Sequence, residues 1–371
     1  MTQRPVATSV TSLIRPEVFS QEEYVPVEPI DVLAERFGIP ADQIRKLDGN
    51  ENPYGSPPEV RAALRDLDSV HIYPDPQHRH LRATLAEYVD CPADQILCGN
   101  GSDELIDLVF RIFLAPGDEI IDCPPSFGMY SFDATICSAR VVAVDRREDF
   151  RLNLSAIEAA VTDRTKLIVL CSPNNPTGNS VSDAELEALL DLGPVVLLDE
   201  AYAEFAGRSF VRRVLEEPNL IVLRTFSKWA GLAGLRVGYG VFPPEVIAQL
   251  WKVKQPYNVN VAGLVAAEAA IRARVAWQPQ IDKIIAERAR LFAALQQSAI
   301  LTPLPSESNF ILCRVDPRIT AGDLRDRLAR RGIFVRYFDK PGLRNAIRVS
   351  VGRPEDTDAL AAALRDLPET P

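Results

Sequence analysis

Short apolar runs alternate with amphipathic stretches through the middle of the chain. From Leu97 onward the clearest runs are VVAVD at 141–145, KLIVLCSP at 166–173, VVLLDEAY at 195–202 and LIVLRTFSK at 220–228. Apolar runs of this length, separated by helical stretches, are typical of strands that are buried on both faces of a sheet. The pattern therefore predicts an α/β protein with a mostly parallel sheet.

One of the intervening stretches carries complete signals for a helix. In SDAELEALLDLG at 182–193, Ser182 and Glu185 have the spacing of a capping box, and Gly193 stands where the helix would end. We therefore expect a helix between two of the strands.

The character of the sequence changes after about Gln255. A helical run over 281–297 is followed by SNFILCRV, by the helical stretch AGDLRDRLARRG, by IRVSVG and by a last helical stretch, EDTDALAAALRDL. This mixture predicts a smaller α+β domain. We expect an N-terminal segment at 1–57 that packs with the small domain, a large domain at 58–258 and the small domain at 259–371.

The composition narrows the possible functions. The 371 residues include 41 Lys and Arg against 51 Asp and Glu, and the net charge of −10 disfavours a general nucleic-acid surface. Six scattered cysteines without a CxxC pair give little sign of a disulfide framework. The sequence has neither an export-type N-terminus nor an apolar run of about 18 residues, so we expect a cytoplasmic protein.

Residues suited to chemistry follow the predicted strands, at the edge where open α/β sheets bind their ligands. Lys228 closes one run, Thr225 and Ser227 precede it, and Arg236 follows among small and apolar residues. A lysine in partly desolvated surroundings has a lowered pKa, which suits Schiff-base chemistry. The hydroxyl groups and the arginine could bind a phosphate.

Three other motifs also follow predicted strands or turns, and each could either bind a ligand or have a purely structural role. Asp199 ends an apolar strand and could bind a cationic ring nitrogen or form a structural ion pair, while Tyr202 could face the same cleft or only pack. Ser102 and Asp103 follow a glycine turn and could hold a phosphate or only cap a helix. The two amides of SPNNPTG at 172–178 could bind a ligand or only form a turn.

A histidine-rich loop is the one candidate for a metal site. His71, His78 and His80 lie close together in HIYPDPQHRH, with Asp75 between them. An HxH pair near an acid can bind a metal. The turn-rich context favours exposed or loop-packing histidines instead, so we predict no metal.

Taken together, the motifs resemble those of fold-type I pyridoxal-phosphate aminotransferases. SPNNPTG, LLDEAYAEF and RTFSKWAGLAGLRVGYG occur in the order and spacing of that signature. With LDGNENPYG, HIYPDP, GNGSDELI, SFGMY, SNFIL and IRVSVG, the chain resembles histidinol-phosphate aminotransferases along nearly all its length. The resemblance implies the fold-type I architecture, with a large, mostly parallel-sheet cofactor domain and a smaller α+β domain. It also implies the cofactor pyridoxal 5′-phosphate.

The resemblance implies a role for each residue near the cofactor ring. Lys228 would bind the cofactor as a Schiff base and then move the proton between the substrate and cofactor carbons. Asp199 would keep the pyridine nitrogen protonated, which lets the ring act as an electron sink. Asn175 and Tyr202 would hydrogen-bond the ring oxygen, and Phe127 would stack on the ring, where many relatives carry Tyr.

Other implied roles concern the cofactor phosphate. Its ligands would be Ser102, Asp103, Thr225, Ser227 and Arg236. Tyr73, in HIYPDP, resembles the tyrosine that these enzymes lend to the cofactor phosphate of a neighbouring subunit. The resemblance therefore implies a homodimer with a shared active site, in which the segment at 1–57 also packs on the partner.

For the substrate, the resemblance implies binding by Tyr24, Asn175, Arg336 and Arg348. The two arginines and Tyr24 would face a substrate phosphate, although Tyr24 lies in EEYVPVEP, where many relatives have Gly-Lys before the second proline. The implied reaction is a ping-pong transamination that interconverts L-histidinol phosphate and 2-oxoglutarate with imidazole-acetol phosphate and L-glutamate, in histidine biosynthesis.

Three alternatives stay open at this point. One is an aromatic amino-acid aminotransferase, because the motifs define the cofactor better than the substrate pocket. Another is a lyase that resembles threonine-phosphate decarboxylases on the same scaffold. The third is a nucleotide-binding or purely interacting α/β protein, and the lack of a GxGxxG turn after the first clear strand counts against it.

Overall fold

The chain forms two sheets with helices packed around them. The computed structural model describes residues 9–19, 21, 23 and 25–366. The strands in these residues are β1 (Arg45–Leu47), β2 (Ile96–Gly99), β3 (Glu119–Asp122), β4 (Arg140–Ala143), β5 (Thr165–Cys171), β6 (Val195–Asp199), β7 (Leu220–Thr225), β8 (Gly238–Val241), β9 (Leu301–Pro303), β10 (Phe310–Val315), β11 (Ile333–Tyr337) and β12 (Ala346–Ser350). The α-helices are α1 (Pro16–Phe19), α2 (Ile30–Phe37), α3 (Pro58–Arg65), α4 (Arg79–Val89), α5 (Gly101–Phe113), α6 (Met129–Ile136), α7 (Leu154–Ala160), α8 (Asp183–Leu190), α9 (Ala203–Ala206), α10 (Pro244–Val253), α11 (Val261–Gln296), α12 (Ala321–Ala329) and α13 (Pro354–Arg365).

The large sheet has seven strands in the order β2-β8-β7-β6-β5-β3-β4. The five strands β7, β6, β5, β3 and β4 pair in parallel with their neighbours in the sheet, whereas β8 is antiparallel to both β2 and β7. Side chains at its centre, such as Val169, Leu198 and Val222, are almost fully buried. The prediction of an α/β fold with a mostly parallel sheet is confirmed, and burial on both faces explains the apolar runs of β5, β6 and β7. The run at 141–145 differs, because it forms the edge strand β4, which is only partly buried.

Helix α8 begins as its sequence indicates. The Ser182 side chain accepts a hydrogen bond from the Glu185 N–H, and the Glu185 carboxylate accepts one from the Ser182 N–H at 2.8 Å. The helix ends before Gly193, whose φ of 97° is left-handed. The predicted capping box is therefore confirmed.

Helix α11 is longer than the run expected at 281–297. It has 36 residues and contains Pro279 in its interior. A proline removes one backbone hydrogen bond, to the carbonyl four residues earlier, and that carbonyl belongs to Val275, whose side chain is 77% exposed. The helix nevertheless continues through the proline as far as Gln296. Within the described residues, none of the helices combines the length and apolar character needed to cross a bilayer.

The small sheet has five strands in the order β1-β11-β12-β10-β9. Strand β1 comes from the N-terminal part of the chain and pairs in parallel with β11, with Arg45 opposite Ile333 and Leu47 opposite Val335. This pairing places the residues that follow β1 between the two sheets. The division at residues 57 and 258 stays a prediction.

Candidate active site

The candidate site lies where three parallel strands of the large sheet end. Asp199 is the last residue of β6, Asn175 follows β5, and Lys228 follows β7. The register aligns these ends, because Asp199 is opposite Cys171 on one side and opposite Leu223 on the other. The structure therefore brings together side chains that are far apart in sequence, at the edge where such sheets bind ligands.

Lys228 is partly buried in the turn after β7. Its Nζ donates a hydrogen bond to the Gly49 carbonyl at 3.3 Å and lies 6.0 Å from the centre of the Tyr202 ring. Burial, and after it the positive charge of Arg348, lower the pKa of Lys228 to about 8. A neutral amine, which is a nucleophile and a base, is therefore well populated at mildly alkaline pH.

Asp199 is buried, and each of its two carboxylate oxygens accepts a hydrogen bond from a different donor. Its Oδ2 accepts a hydrogen bond from the Tyr130 hydroxyl at 2.9 Å, and its Oδ1 accepts one from the Ala201 N–H at 3.0 Å. Burial raises the pKa of Asp199 to about 6, although both hydrogen bonds favour the ionised form. Among the described residues, no Lys or Arg forms an ion pair with it. The carboxylate is thus suited to a cation that a ligand would bring.

The Tyr202 phenol is buried beside this carboxylate. Its oxygen accepts a hydrogen bond from Asn50 Nδ2 at 3.1 Å, and its ring meets Phe310 edge-on with centroids 5.1 Å apart. Burial raises the pKa of Tyr202 above its ordinary value, so the phenol keeps its proton. Tyr202 is therefore available as a hydrogen-bond donor.

Arg348 and Arg336 lie directly opposite each other on β12 and β11. Both guanidinium groups contact the Phe338 ring, at 5.6 and 5.5 Å from its centre, so they occupy the same face of the small sheet. Arg348 Nη1 donates to Asn175 Oδ1 at 2.6 Å, and Arg336 donates to the Val25 carbonyl at 2.7 Å. Two arginines on one face, next to the Asn175 amide, make a positive surface suited to an anion.

A second polar cluster forms around the start of α5. Ser102 and Asp103 lie in its first turn, and Arg236 Nη2 donates to Asp103 Oδ2 at 2.7 Å. Thr225 Oγ1 donates to Ser227 Oγ at 3.0 Å, and both residues are buried. Hydroxyl groups, a guanidinium and a helix N-terminus are the usual ligands of a phosphate.

Gly101 is required for this cluster. Its φ is 80°, and a Cβ atom added there would lie 2.5 Å from Arg236 Nη2. Only glycine therefore lets the guanidinium approach the helix start without strain. The guanidinium of Arg236 therefore lies directly beside the first turn of α5.

The remaining predicted residues have different surroundings. Phe127 packs edge-on against Tyr130, with centroids 5.6 Å apart, next to the Asp199 carboxylate. Tyr73 is not brought to this site: it is 77% exposed and stacks on Tyr257 at 4.4 Å. Tyr24 lies outside the described residues.

Sequence reasoning missed two residues that contact the site. Tyr130 donates to Asp199, and Asn50 donates to Tyr202. Both lie within motifs that carried the resemblance, SFGMY and LDGNENPYG, but neither follows a predicted strand. Because buried carboxylates need hydrogen bonds, the prediction that Asp199 is buried could have prompted a search of the sequence for a donor to it.

The fold and the site define an aminotransferase. The family model "Aminotransferase class I and II" matches residues 42–364. The chain is 51% identical to the histidinol-phosphate aminotransferase of Roseiflexus castenholzii, with 97% of this chain and 99% of that protein covered. It is 49% identical to the chloroplastic histidinol-phosphate aminotransferase of Nicotiana tabacum, with 95% of this chain and 86% of that protein covered.

A solved structure agrees with these relatives. The histidinol-phosphate aminotransferase of Sinorhizobium meliloti, in complex with pyridoxal 5′-phosphate, matches with a TM-score of 0.87 and 28% identity. The match covers 96% of this chain and 97% of that one. The chain belongs to the histidinol-phosphate aminotransferase family.

Proposed function

We propose that this protein is a pyridoxal-phosphate-dependent aminotransferase that interconverts L-histidinol phosphate and 2-oxoglutarate with imidazole-acetol phosphate and L-glutamate, in histidine biosynthesis. The names of the two relatives from Roseiflexus castenholzii and Nicotiana tabacum support this reaction. The observation that carries it is the site itself, where Lys228 and Asp199 lie at adjacent strand ends and Arg336 and Arg348 face the same side of the small sheet. The aromatic aminotransferase and the decarboxylase-like lyase are not favoured by these relatives.

The residues present fit pyridoxal 5′-phosphate. The polar groups around Gly101 suit its phosphate, which Ser102, Asp103, Thr225, Ser227 and Arg236 would hold through the α5 N-terminus, hydroxyl groups and guanidinium. Asp199 would bind the pyridine nitrogen, Asn175 and Tyr202 the ring oxygen, and Phe127 the ring face. When bound, the cofactor supplies an electron sink and carries the amino group between the two half-reactions.

Lys228 anchors the cofactor and is the general base. Its pKa of about 8 gives a substantial neutral fraction near physiological pH, and a base with such a pKa can take a proton and return it. The Gly49 carbonyl holds the amine in place at 3.3 Å. We infer that Lys228 would take the proton from the substrate Cα and would be the acid that returns it, while the bound cofactor would supply the electron sink.

Asp199 keeps the ring nitrogen protonated. A cation next to this buried carboxylate lowers its pKa below the value of about 6 that burial produces, so the carboxylate is ionised when the ring is in place. Tyr130 and the Ala201 N–H each occupy one oxygen and orient the carboxylate. Asp199 would thus hold its charge in a fixed position toward the ring nitrogen.

The substrate phosphate would bind at Arg336 and Arg348, with Asn175 beside them. Like charges opposite each other on paired strands are unfavourable on their own. A dianionic phosphate reverses that repulsion and can accept several charge-assisted hydrogen bonds. Tyr24 is retained as a proposed fourth contact on the strength of the resemblance alone.

We also propose a cytoplasmic homodimer with shared sites. Tyr73 has the exposure of a residue that meets another surface, and its stacking on Tyr257 presents two aromatic rings together. In the dimer, Tyr73 would reach the cofactor phosphate of the neighbouring subunit. The segment at 1–57 would pack on the partner as well as on the small domain.

An absorbance spectrum tests the function directly. The purified protein, loaded with pyridoxal 5′-phosphate, should show a visible band that is replaced by an ultraviolet band when L-histidinol phosphate is added without an oxo acid. Lys228→Ala should fold but lose turnover. Normal transamination by that variant would refute the role of Lys228.

Other outcomes separate the alternatives. Bleaching by phenylalanine or tyrosine, with no response to histidinol phosphate, would move the substrate to the aromatic class. Release of carbon dioxide would indicate the lyase. A protein that stays colourless with pyridoxal 5′-phosphate would contradict the cofactor.

A further inference from the structure

We propose that Asn50 is a positioning residue that fixes the direction of the Tyr202 hydroxyl proton, and so makes Tyr202 a donor toward the cofactor ring oxygen. The inference rests on the proposed function, since it concerns the same site. Asn50 belongs to the segment after β1 and lies between the two sheets.

Asn50 is held in one conformation. It is 1% exposed and has a φ of 54°, a left-handed value that asparagine tolerates better than most residues. Its N–H donates to Ser350 Oγ at 2.9 Å, and its carbonyl accepts from Asn309 Nδ2 at 3.0 Å. The backbone on both sides of the side chain is therefore tied to the small sheet.

The hydrogen bonds determine which end of the Asn50 amide faces Tyr202. Ser350 Oγ already accepts from the Asn50 N–H, which can only donate, so its own proton is free for Asn50 Oδ1 at 2.7 Å. With Oδ1 engaged by Ser350, the NH₂ group faces the Tyr202 oxygen at 3.1 Å. An NH₂ group can only donate, so the phenol oxygen is the acceptor in this contact.

The hydroxyl proton of Tyr202 must then point elsewhere. Among the described residues, no side chain or carbonyl accepts it, since the Asn50 contact is the one hydrogen bond of the phenol oxygen. The proton is therefore directed toward an acceptor that a bound molecule carries. In the proposed function this acceptor is the ring oxygen, and its negative charge is stabilised by the donated proton.

The neighbours of Asn50 show why this segment is placed here. The Asp48 carbonyl accepts from Arg348 Nη2 at 2.5 Å, and the Gly49 carbonyl accepts from Lys228 Nζ at 3.3 Å. Three consecutive residues thus each contact a different group of the site. Asp48 and Gly49 make these contacts with their backbone carbonyls, whereas Asn50 uses its own side chain. The contact of Asn50 can therefore be removed by mutation without removing the other two.

Asn50→Gly tests the proposal. Glycine keeps the positive φ and removes the amide, so the backbone contacts to Ser350 and Asn309 are retained. The readout is the pH midpoint of the visible band in the loaded protein. Because a proton donated to the ring oxygen favours the deprotonated chromophore, we expect N50G to raise the midpoint by up to about one pH unit.

A double-mutant cycle identifies the route of the effect. Y202F should raise the midpoint at least as much as N50G, and adding N50G to Y202F should change it no further. An unchanged midpoint in N50G, or the same increase with and without the phenol, would overturn the proposal. In either case a wild-type protein that still bleaches with histidinol phosphate keeps the proposed function intact.

A second variant covers the possibility that N50G unfolds. Asn50→Asp also tolerates a positive φ, and its carboxylate would accept the phenol proton and turn it away from the ring. We expect a larger increase of the midpoint than in N50G, most of which should vanish in the Y202F background. An increase of the same size with Phe at 202 would mean that charge alone acts, and would overturn the proposal.

Discussion

Asp199→Asn should stabilise the ligand-free protein while it abolishes the reaction. The carboxylate is 3% exposed and, among the described residues, has no cation paired with it. Asparagine has the same shape, and its Oδ1 can accept from the Ala201 N–H as Asp199 Oδ1 does at 3.0 Å. Its NH₂ can donate to the Tyr130 oxygen, because a phenol both donates and accepts.

The size of the effect follows from the pKa of Asp199. The value rises from 3.8 to about 6 on folding, which corresponds to about 3 kcal/mol between the two protonation states. Well above pH 6 the Asp199 carboxylate is ionised in both the folded and the unfolded protein, so the folded protein bears the whole free-energy cost of burying the charge. As the pH falls toward 3.8, the folded state binds its proton first and the cost disappears. D199N should therefore be more stable than the wild type at pH 8, by up to about 3 kcal/mol, and the difference should fall to about 0.6 kcal/mol near pH 4.

Urea unfolding of the ligand-free proteins at pH 8, 6 and 4.5 measures this difference. Asp163→Asn changes an exposed carboxylate and serves as the control, with little change in unfolding midpoint expected at any pH. A D199N variant that is less stable than the wild type at pH 8, or whose difference does not depend on pH, would refute the reasoning. Loss of turnover in the loaded variant should accompany the gain in stability.

Two further predictions concern the cationic residues. In the ligand-free protein, the rate at which an amine-acylating reagent modifies Lys228 should have its pH midpoint near 8, as followed by peptide mass spectrometry. Arg348→Met should move this midpoint to higher pH, because the positive charge of Arg348 is the second cause of the lowered pKa of Lys228. A midpoint at the ordinary lysine pKa would contradict the burial of the amine. In an absorbance titration, Arg236→Gln should raise the Kd for pyridoxal 5′-phosphate by about 10- to 100-fold, since a charged hydrogen bond is worth about 1.5–3 kcal/mol. The control Arg212→Gln, which removes an exposed ion pair with Asp90, should leave this Kd unchanged.

The elements that sequence patterns predicted well are those whose causes are local. The apolar runs became β5, β6 and β7 because continuous Val, Leu and Ile sequences fit a sheet covered on both faces. The capping box of α8 needs only Ser182 and Glu185, so it too is visible in the sequence. The length of α11 was not, because a proline inside a helical pattern usually marks a helix boundary, whereas Pro279 lies within this helix.

Pairings between distant segments could not be predicted from these patterns. Strand β1 has three residues and pairs with β11, almost three hundred positions later. The hydrogen bond between Tyr130 and Asp199 joins residues 69 positions apart. Neither contact has a local signal, because each depends on how the two sheets are arranged around the site. The strand ends identified Lys228 and Asp199, and the tertiary structure was needed to find their partners.

Burial shifts the pKa values of the two central residues of the site in opposite directions. Burial raises the pKa of Asp199 and lowers that of Lys228, so in the ligand-free protein each is driven toward its neutral form. In the proposed function, Asp199 would recover its charge by pairing with a protonated ring nitrogen, because the proton and the carboxylate would stabilise each other. Lys228 needs no such partner, since its neutral amine is the reactive form. In the proposed function, the same burial that destabilises the charged forms in the ligand-free fold would therefore prepare Asp199 to hold a cation and Lys228 to react.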